Sequence, residues 1–190
     1  MTNPILRDVP GQLESERLLI RCPRPGDGAV HFEAVVETLA ELRTWSASLP
    51  WSMNEPSIEA SEIFCREGAL AYAARRDFPM LLFLKEDGRF VGSSGLHRFD
   101  WSVPKFEVGY WCRKSRHGQG FVTEAVQAIT AFAFSTLGAH RVESFPDEGN
   151  TPSRAVCERA GYRLEGTMRN ERVDADGRLR NTCIYARYAP

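Results

Sequence analysis

Residues 110–126, Tyr-Trp-Cys-Arg-Lys-Ser-Arg-His-Gly-Gln-Gly-Phe-Val-Thr-Glu-Ala-Val, leave this chain the fewest choices. They read as the end of a strand, a basic glycine loop and the first turns of a helix. The strand covers 105–112, where Phe106, Val108, Tyr110 and Trp111 are the β-branched and aromatic types that strands favour. The helix covers 120–137. There Phe121, Val122, Ala125, Val126, Ile129, Phe132, Ala133 and Leu137 recur at helical spacing and make one broad apolar face. Between strand and helix lie Arg113, Lys114, Arg116 and His117, then Gly118 and Gly120.

The first N–H groups of a helix have no partner within it and sit at the positive end of its dipole, so they attract anions. Glycine there permits positive φ and close approach of a ligand to the backbone. The cationic run before Gly118 adds to the field, making this a candidate seat for a phosphorylated ligand. It is not a Walker loop, which needs Lys and Ser or Thr at the end, because Phe121 and Val122 follow Gly120. Nor is it the dinucleotide fingerprint, whose third glycine or alanine would fall at Thr123.

Gly118-x-Gly120 opening a helix that continues Phe-Val-Thr-Glu-Ala-Val resembles the acetyl-CoA loop of the GNAT N-acyltransferases, in their RimJ/RimL-like branch. Three further segments agree in order and spacing: Gly95-Leu-His-Arg-Phe-Asp-Trp101, Phe106-Glu-Val-Gly-Tyr-Trp111, and Asn150-Thr-Pro-Ser-Arg-Ala-Val-Cys-Glu-Arg-Ala-Gly-Tyr162. The resemblance spans residues 12–187. It departs at Ser115, where the superfamily often has Gln or Arg; Arg113 or Arg116 is the candidate to supply that charge.

The rest of the chain fits one domain over residues 1–190. A net charge of −1 provides no global basic field for nucleic acid or membrane. Five widely spaced cysteines without a C-x-x-C, and no metal-ligand spacing among the histidines, argue against a disulfide framework or a metal site. They point to a reducing, cytoplasmic setting. No apolar signal core or membrane-length run is found. Residues 1–16 read as a loose segment. A strand at 18–22 and a helix capped by Asp27 follow, with Val30, Phe32, Val35, Val36, Leu39 and Leu42 as its inner face. A loop carries Trp45 and Trp51, and Ser57 caps a second helix. Apolar 80–84 and 90–99 form a hairpin around Asp87-Gly88, with Gly92 and Gly95 marking twist, a bulge or a close approach. A strand at 141–145 after the long helix implies parallel pairing. Pro152 opens a helix ending at Gly161, and strands at 162–167 and 183–188 close the fold. The expected class is α/β: a GNAT-like mixed, mostly antiparallel sheet with helices on both faces.

The resemblance implies acetyl-CoA as co-substrate, no metal, and an amine as acceptor. A thioester is already activated, so a neutral amine held in line can attack it without a covalent enzyme intermediate. Four services are needed: a phosphate seat, an oxyanion donor, an acceptor for the amine proton and a partner for the thiolate. By resemblance the strand splays near Gly109, and N–H groups at Trp111 and Cys112 polarise the thioester. The cofactor-binding candidates are Trp111, Cys112, Arg113, Arg116, His117, Gly118, Gln119, Gly120, Phe121, Asn150 and Ser153. Ser153, in the first turn of its helix, is the candidate partner of the thiolate. Glu107 shares a strand face with Gly109 and Trp111 and is the candidate for the amine proton, with His97 as its rival.

The expected activity is N-acetyl transfer by direct attack in a ternary complex. The expected acceptor is the N-terminal α-amine of a protein of the ribosomal type, entering between the Trp45–Trp51 loop and the closing strands. The competing readings are an acetyltransferase for a small amine or antibiotic, one for a longer acyl-CoA, and a non-catalytic CoA-binding sensor. A homodimer stands open; nucleic acid and membrane are not expected partners.

Overall fold

Period-two burial and period-3.6 burial alternate along the chain and set its elements. The computed structural model describes residues 3–190. In chain order, β1 (Gln12–Glu14) and β2 (Leu18–Arg21) precede two helices, α1 (Gly28–Thr44) and α2 (Ile58–Ala73). Strands β3 (Phe78–Leu84), β4 (Phe90–Asp100) and β5 (Lys105–Cys112) lead into α3 (Phe121–Ser135). Then come β6 (Arg141–Ser144), α4 (Thr151–Arg159), β7 (Arg163–Val173) and β8 (Leu179–Tyr188). The strands form one eight-stranded sheet in the order β1-β2-β3-β4-β5-β6-β8-β7. Among the described residues only β5 and β6 pair in parallel, joined by the crossover through α3.

Helices cover both faces. On one face α3 buries Phe121, Val122, Ala125, Val126, Ile129, Phe132 and Ala133, with Leu137 just past its end, against Leu18, Ile20, Met80, Leu82, Phe106 and Val108. These are the side chains whose spacing marks the helix in the sequence. On the other face α1 and α2 pack Ala34 and Cys65 onto Leu81 and Phe90. The alternation of Met80, Leu81 and Leu82 between the two clusters is why β3 reads as an unbroken apolar run.

Several local expectations change. Part of the 1–16 segment is structured: β1 pairs with β2, and Arg7 donates to the Leu137 carbonyl at 2.9 Å. The polar composition there hid a strand only three residues long. Met1 and Thr2, in the same segment, lie outside the described residues. Asp27 precedes α1 but its carboxylate makes no capping bond; it takes a two-pronged bond from Arg21 at 2.7 Å. The inner face of α1 is rotated, burying His31, Ala34, Val35, Thr38 and Leu42 while Val30 and Val36 are exposed. Two polar residues win those places because each has a partner: His31 Nδ1 meets Ser61 Oγ at 3.0 Å, and Thr38 Oγ1 accepts from Lys114 N at 3.0 Å. Ser57 does cap α2, accepting from Ala60 N at 3.0 Å. The closing strands are longer than their apolar cores and meet at the turn 174–177.

Candidate active site

β6 pairs with β5 only through Lys105, Phe106 and Glu107. Beyond Glu107, β5 runs on to Cys112 beside β4 alone, so its other edge borders an open wedge. The side chains of β5 alternate across this edge. Phe106, Val108, Tyr110 and Cys112 face the α3 side; Glu107, Gly109 and Trp111 face the α1 and α2 side.

At the end of β5 the chain turns through Lys114–Arg116 into Gly118 (φ 72°) and Gly120 (φ 80°), the latter standing at the N-cap of α3. No side chain caps that first turn. A Cβ on Gly118 would meet nothing within 4 Å, and one on Gly120 only Arg17 Nη2 at 3.5 Å. The expected phosphate seat is thus open at the backbone and positive in φ where glycine is needed.

Its cations are not all those of the local run. Arg113 Nε lies 2.5 Å from Glu37 Oε2, and Lys114 Nζ 2.6 Å from Glu41 Oε1, so both turn to α1. Glu37 also accepts from Ser115 N at 2.7 Å. Burial opposes ionisation of Glu37, but the bonds from Ser115 and Arg113 outweigh it and hold its pKa down at about 2. Arg116 and His117 remain at the loop, His117 Nε2 lying 2.9 Å from the Cys112 carbonyl. Arg17 joins them from the far end of the chain. Glu124, in the first turn of α3, binds its Nε and backbone N at 2.7 Å, and its Nη1 donates to the Gln119 carbonyl at 3.1 Å. Its guanidinium lies 4.4 Å over the Phe121 ring. Nothing in the sequence near Arg17 signals this, because the contact is made by the fold.

On the α3 side of the wedge, Ser153 Oγ donates to Tyr110 Oη at 3.1 Å, and Tyr110 Oη donates to the Ser153 carbonyl at 2.9 Å. Cys157 Sγ is 3.1 Å from the same hydroxyl. Burial pushes the Tyr110 phenol well above its ordinary value, so it stays protonated. Asn150 caps α4 by accepting from Ser153 N at 3.1 Å, which sets where Ser153 points. Burial also raises Cys112 to about 11 against the pull of Arg116, which leaves it a poor nucleophile.

On the other side a cleft of about 530 Å³ opens between α1, α2, the Pro50–Met53 turn and the strands β4 and β5. Glu107 and His97, paired across β5 and β4, stand at its floor. Glu107 Oε1 accepts from Arg98 Nη1 at 2.5 Å. His97 Nδ1 is 2.7 Å from Asp77 Oδ1. A carboxylate only accepts, so in the neutral ring Nδ1 carries the proton and Nε2 keeps its lone pair. The ring lies over a bare patch of sheet: a Cβ on Gly95 would stand 3.0 Å from His97 Nε2, and one on Gly109 3.2 Å from His97 Cδ2. Trp51 lines the cleft, whereas Trp45 sits under Arg180 of the closing hairpin, 5.9 Å from its guanidinium. That hairpin is therefore an anchor of the loop, through Arg172 to Ser48 and Ala175 to Ser46, and not a wall of the cleft.

The site thus has an anion seat at a helix N-terminus, a strand edge left free for a ligand, and polar groups on both faces of that edge. Together with the fold, this defines the class: an N-acyltransferase that takes its acyl group from a CoA thioester. More particularly, the chain belongs to the GNAT acetyltransferase family, whose domain model, described as Acetyltransferase (GNAT) domain, matches residues 17–163. It is 31% identical over 157 residues to the Bacillus subtilis (strain 168) protein YdaF, which carries the provisional name ribosomal N-acetyltransferase; the match covers 82% of this chain and 83% of that one. It is 27% identical over 142 residues to the ribosomal-protein-serine acetyltransferase of Escherichia coli (strain K12), covering 73% and 77%. RimL, the ribosomal L7/L12 α-N-protein acetyltransferase solved with coenzyme A, superposes with a TM-score of 0.84 at 22% identity, covering 92% of this chain and 96% of that one.

Acetyl-CoA is the donor of this family, and the open, positive loop fits it: the backbone of Gly118, Gln119 and Gly120 with Arg17, Arg116 and His117 would hold the phosphates, and the free edge of β5 would take the arm. Among the described residues no cluster could hold a metal ion, and no helix is long and apolar enough to cross a membrane.

Proposed function

We propose that this acetyltransferase acts on the N-terminal α-amine of a protein, of the ribosomal type, by direct attack in a ternary complex. The observation that carries this is the division of labour across the free edge of β5. The amine-side groups Glu107 and His97 stand on one face, and the thiol-side pair Ser153 and Tyr110 on the other. When bound, acetyl-CoA supplies an activated acyl carbon. The backbone near Trp111 and Cys112 polarises the carbonyl, and Glu107 or His97 receives the amine proton. Ser153, oriented by the Asn150 cap and Tyr110, hydrogen-bonds the departing sulfur.

An α-amine suits this weakly charged site. Its pKa is about 7.7–8.0 against about 10.4 for lysine, so at neutral pH a fair fraction is already nucleophilic. The names of the Bacillus and Escherichia relatives support a ribosomal-protein acceptor. The test offers serine- and leucine-initiated peptides, their N-terminally blocked twins with an internal lysine, and a set of polyamines and aminoglycosides. Thiol release should be fastest with the free peptides. Equal rates on the blocked twins, or far faster acetylation of a small amine, would remove the α-amine reading. Tight CoA binding with no thiol release from any amine would favour a sensor.

A further inference from the structure

The cleft above Glu107 and His97 is larger than an amine needs, and its walls have one character. The His31 ring stacks on Phe64 with centroids 4.8 Å apart, Trp111 meets His31 edge-on at 5.6 Å, and Trp51 tilts toward Trp111 at 6.2 Å. Trp51 is 40% exposed, an apolar surface left open beside the cleft. The charges on the lining are already matched: Glu107 with Arg98, His97 with Asp77, and Glu55 with Arg43. Burial, against the pull of Asp27, pushes His31 down to about 4, so the ring is neutral where the enzyme works.

The polar side chains of the floor and back wall are also occupied. Ser61 meets His31, Ser93 donates to the Met80 carbonyl at 3.0 Å, and Ser94 donates to the Gly109 carbonyl at 2.8 Å.

We propose that this cleft is an acceptor subsite for a large apolar or aromatic side chain next to the reacting amine. The inference rests on the acetyltransferase reading above and names its substrate class. A charged side chain entering here would lose its water and find every opposite charge already engaged. An apolar one replaces water against Trp51, Trp111, Phe64 and His31, and the difference between a large and a small side chain in such a pocket is roughly tenfold to a few hundredfold.

The experiment measures kcat/KM by thiol release from acetyl-CoA with free-amine peptides that differ only in their first residue: Phe, Leu, Ala, Ser, Glu or Lys. Leu and Phe should exceed Ala and Ser by about tenfold or more, and Glu and Lys should rank last. Trp51→Ala should narrow the Leu-to-Ala ratio to within about threefold. A flat ranking, a ranking led by Glu or Lys, or a Trp51→Ala protein with the wild-type ratio overturns the subsite. Transfer with a flat ranking leaves the acetyltransferase reading standing; no transfer to any peptide or other amine removes both.

Discussion

Two carboxylates beside two basic side chains divide the amine side of the site unequally. Arg98 takes up the charge of Glu107, while Asp77 holds His97 by Nδ1 and leaves Nε2 over the Gly95 and Gly109 patch. We expect His97→Ala to lower kcat/KM by roughly tenfold to a thousandfold. Glu107→Gln should lower turnover less, with partial rescue as pH rises and more acceptor amine is neutral. A larger loss in Glu107→Gln than in His97→Ala would reverse the assignment. Across the strand, Ser153→Ala should lower kcat with little change in acetyl-CoA affinity, because the role proposed for Ser153 is to bond the leaving sulfur and not the phosphates. An unchanged kcat would move the thiol-side role to Tyr110. The sequence made Ser153, Glu107 and His97 visible as residue types at suggestive places. It could not show Asp77, which lies 20 residues from His97 and carries no motif of its own.

Helix α1 does two jobs, walling the cleft with His31 and docking the turn before the phosphate seat with Glu37, Thr38 and Glu41. The ordinary carboxylate value is 4.5, and Glu37 sits at about 2 in the folded chain. A depressed acid stabilises the fold above its unfolded value and loses that contribution as pH falls through the folded one. The docking is therefore intact at neutral pH and is lost between about pH 4.5 and 2. Glu37→Gln should be less stable than wild type at pH 7 by about 1 kcal/mol, as measured by urea unfolding, and the gap should close as pH approaches 2. A gap that does not change with pH would mean that Glu37 acts through packing rather than charge. The Gln variant should also weaken CoA binding, since the loop it loosens leads into Gly118. The apolar period of α3 was legible because every inner residue is hydrophobic. That of α1 was not, because His31 and Thr38 earn burial through partners on α2 and on the loop.

At the scale of the whole molecule, the proposed donor seat and acceptor cleft open on opposite faces of one strand edge. On that reading both substrates are held at once. Cys112 faces the α3 side and is pushed up to about 11 by burial, which makes it a poor carrier. Initial-rate plots with varied acetyl-CoA and amine should intersect, and no acetylated enzyme should form with acetyl-CoA alone. Parallel lines, or an acetyl adduct of the protein seen by mass spectrometry, would sink direct attack.

By itself the sequence determined the order of strands and helices from β2 onward, the apolar face of α3, the glycine loop at its start and the shared face of Glu107, Gly109 and Trp111. Each of these is a property of neighbours along the chain, carried by a period of 2 or 3.6 or by the φ that glycine allows. Only the tertiary structure decided which charges stand at the glycine loop. It brought Arg17 to the loop through Glu124, 107 residues away, and turned Arg113 to Glu37, 76 residues away. It also sent Trp51 to the cleft and Trp45 to the closing hairpin. Charge pairing and aromatic packing depend on distance in space, and no local pattern encodes which of several similar side chains the fold will bring within 3 Å of a partner.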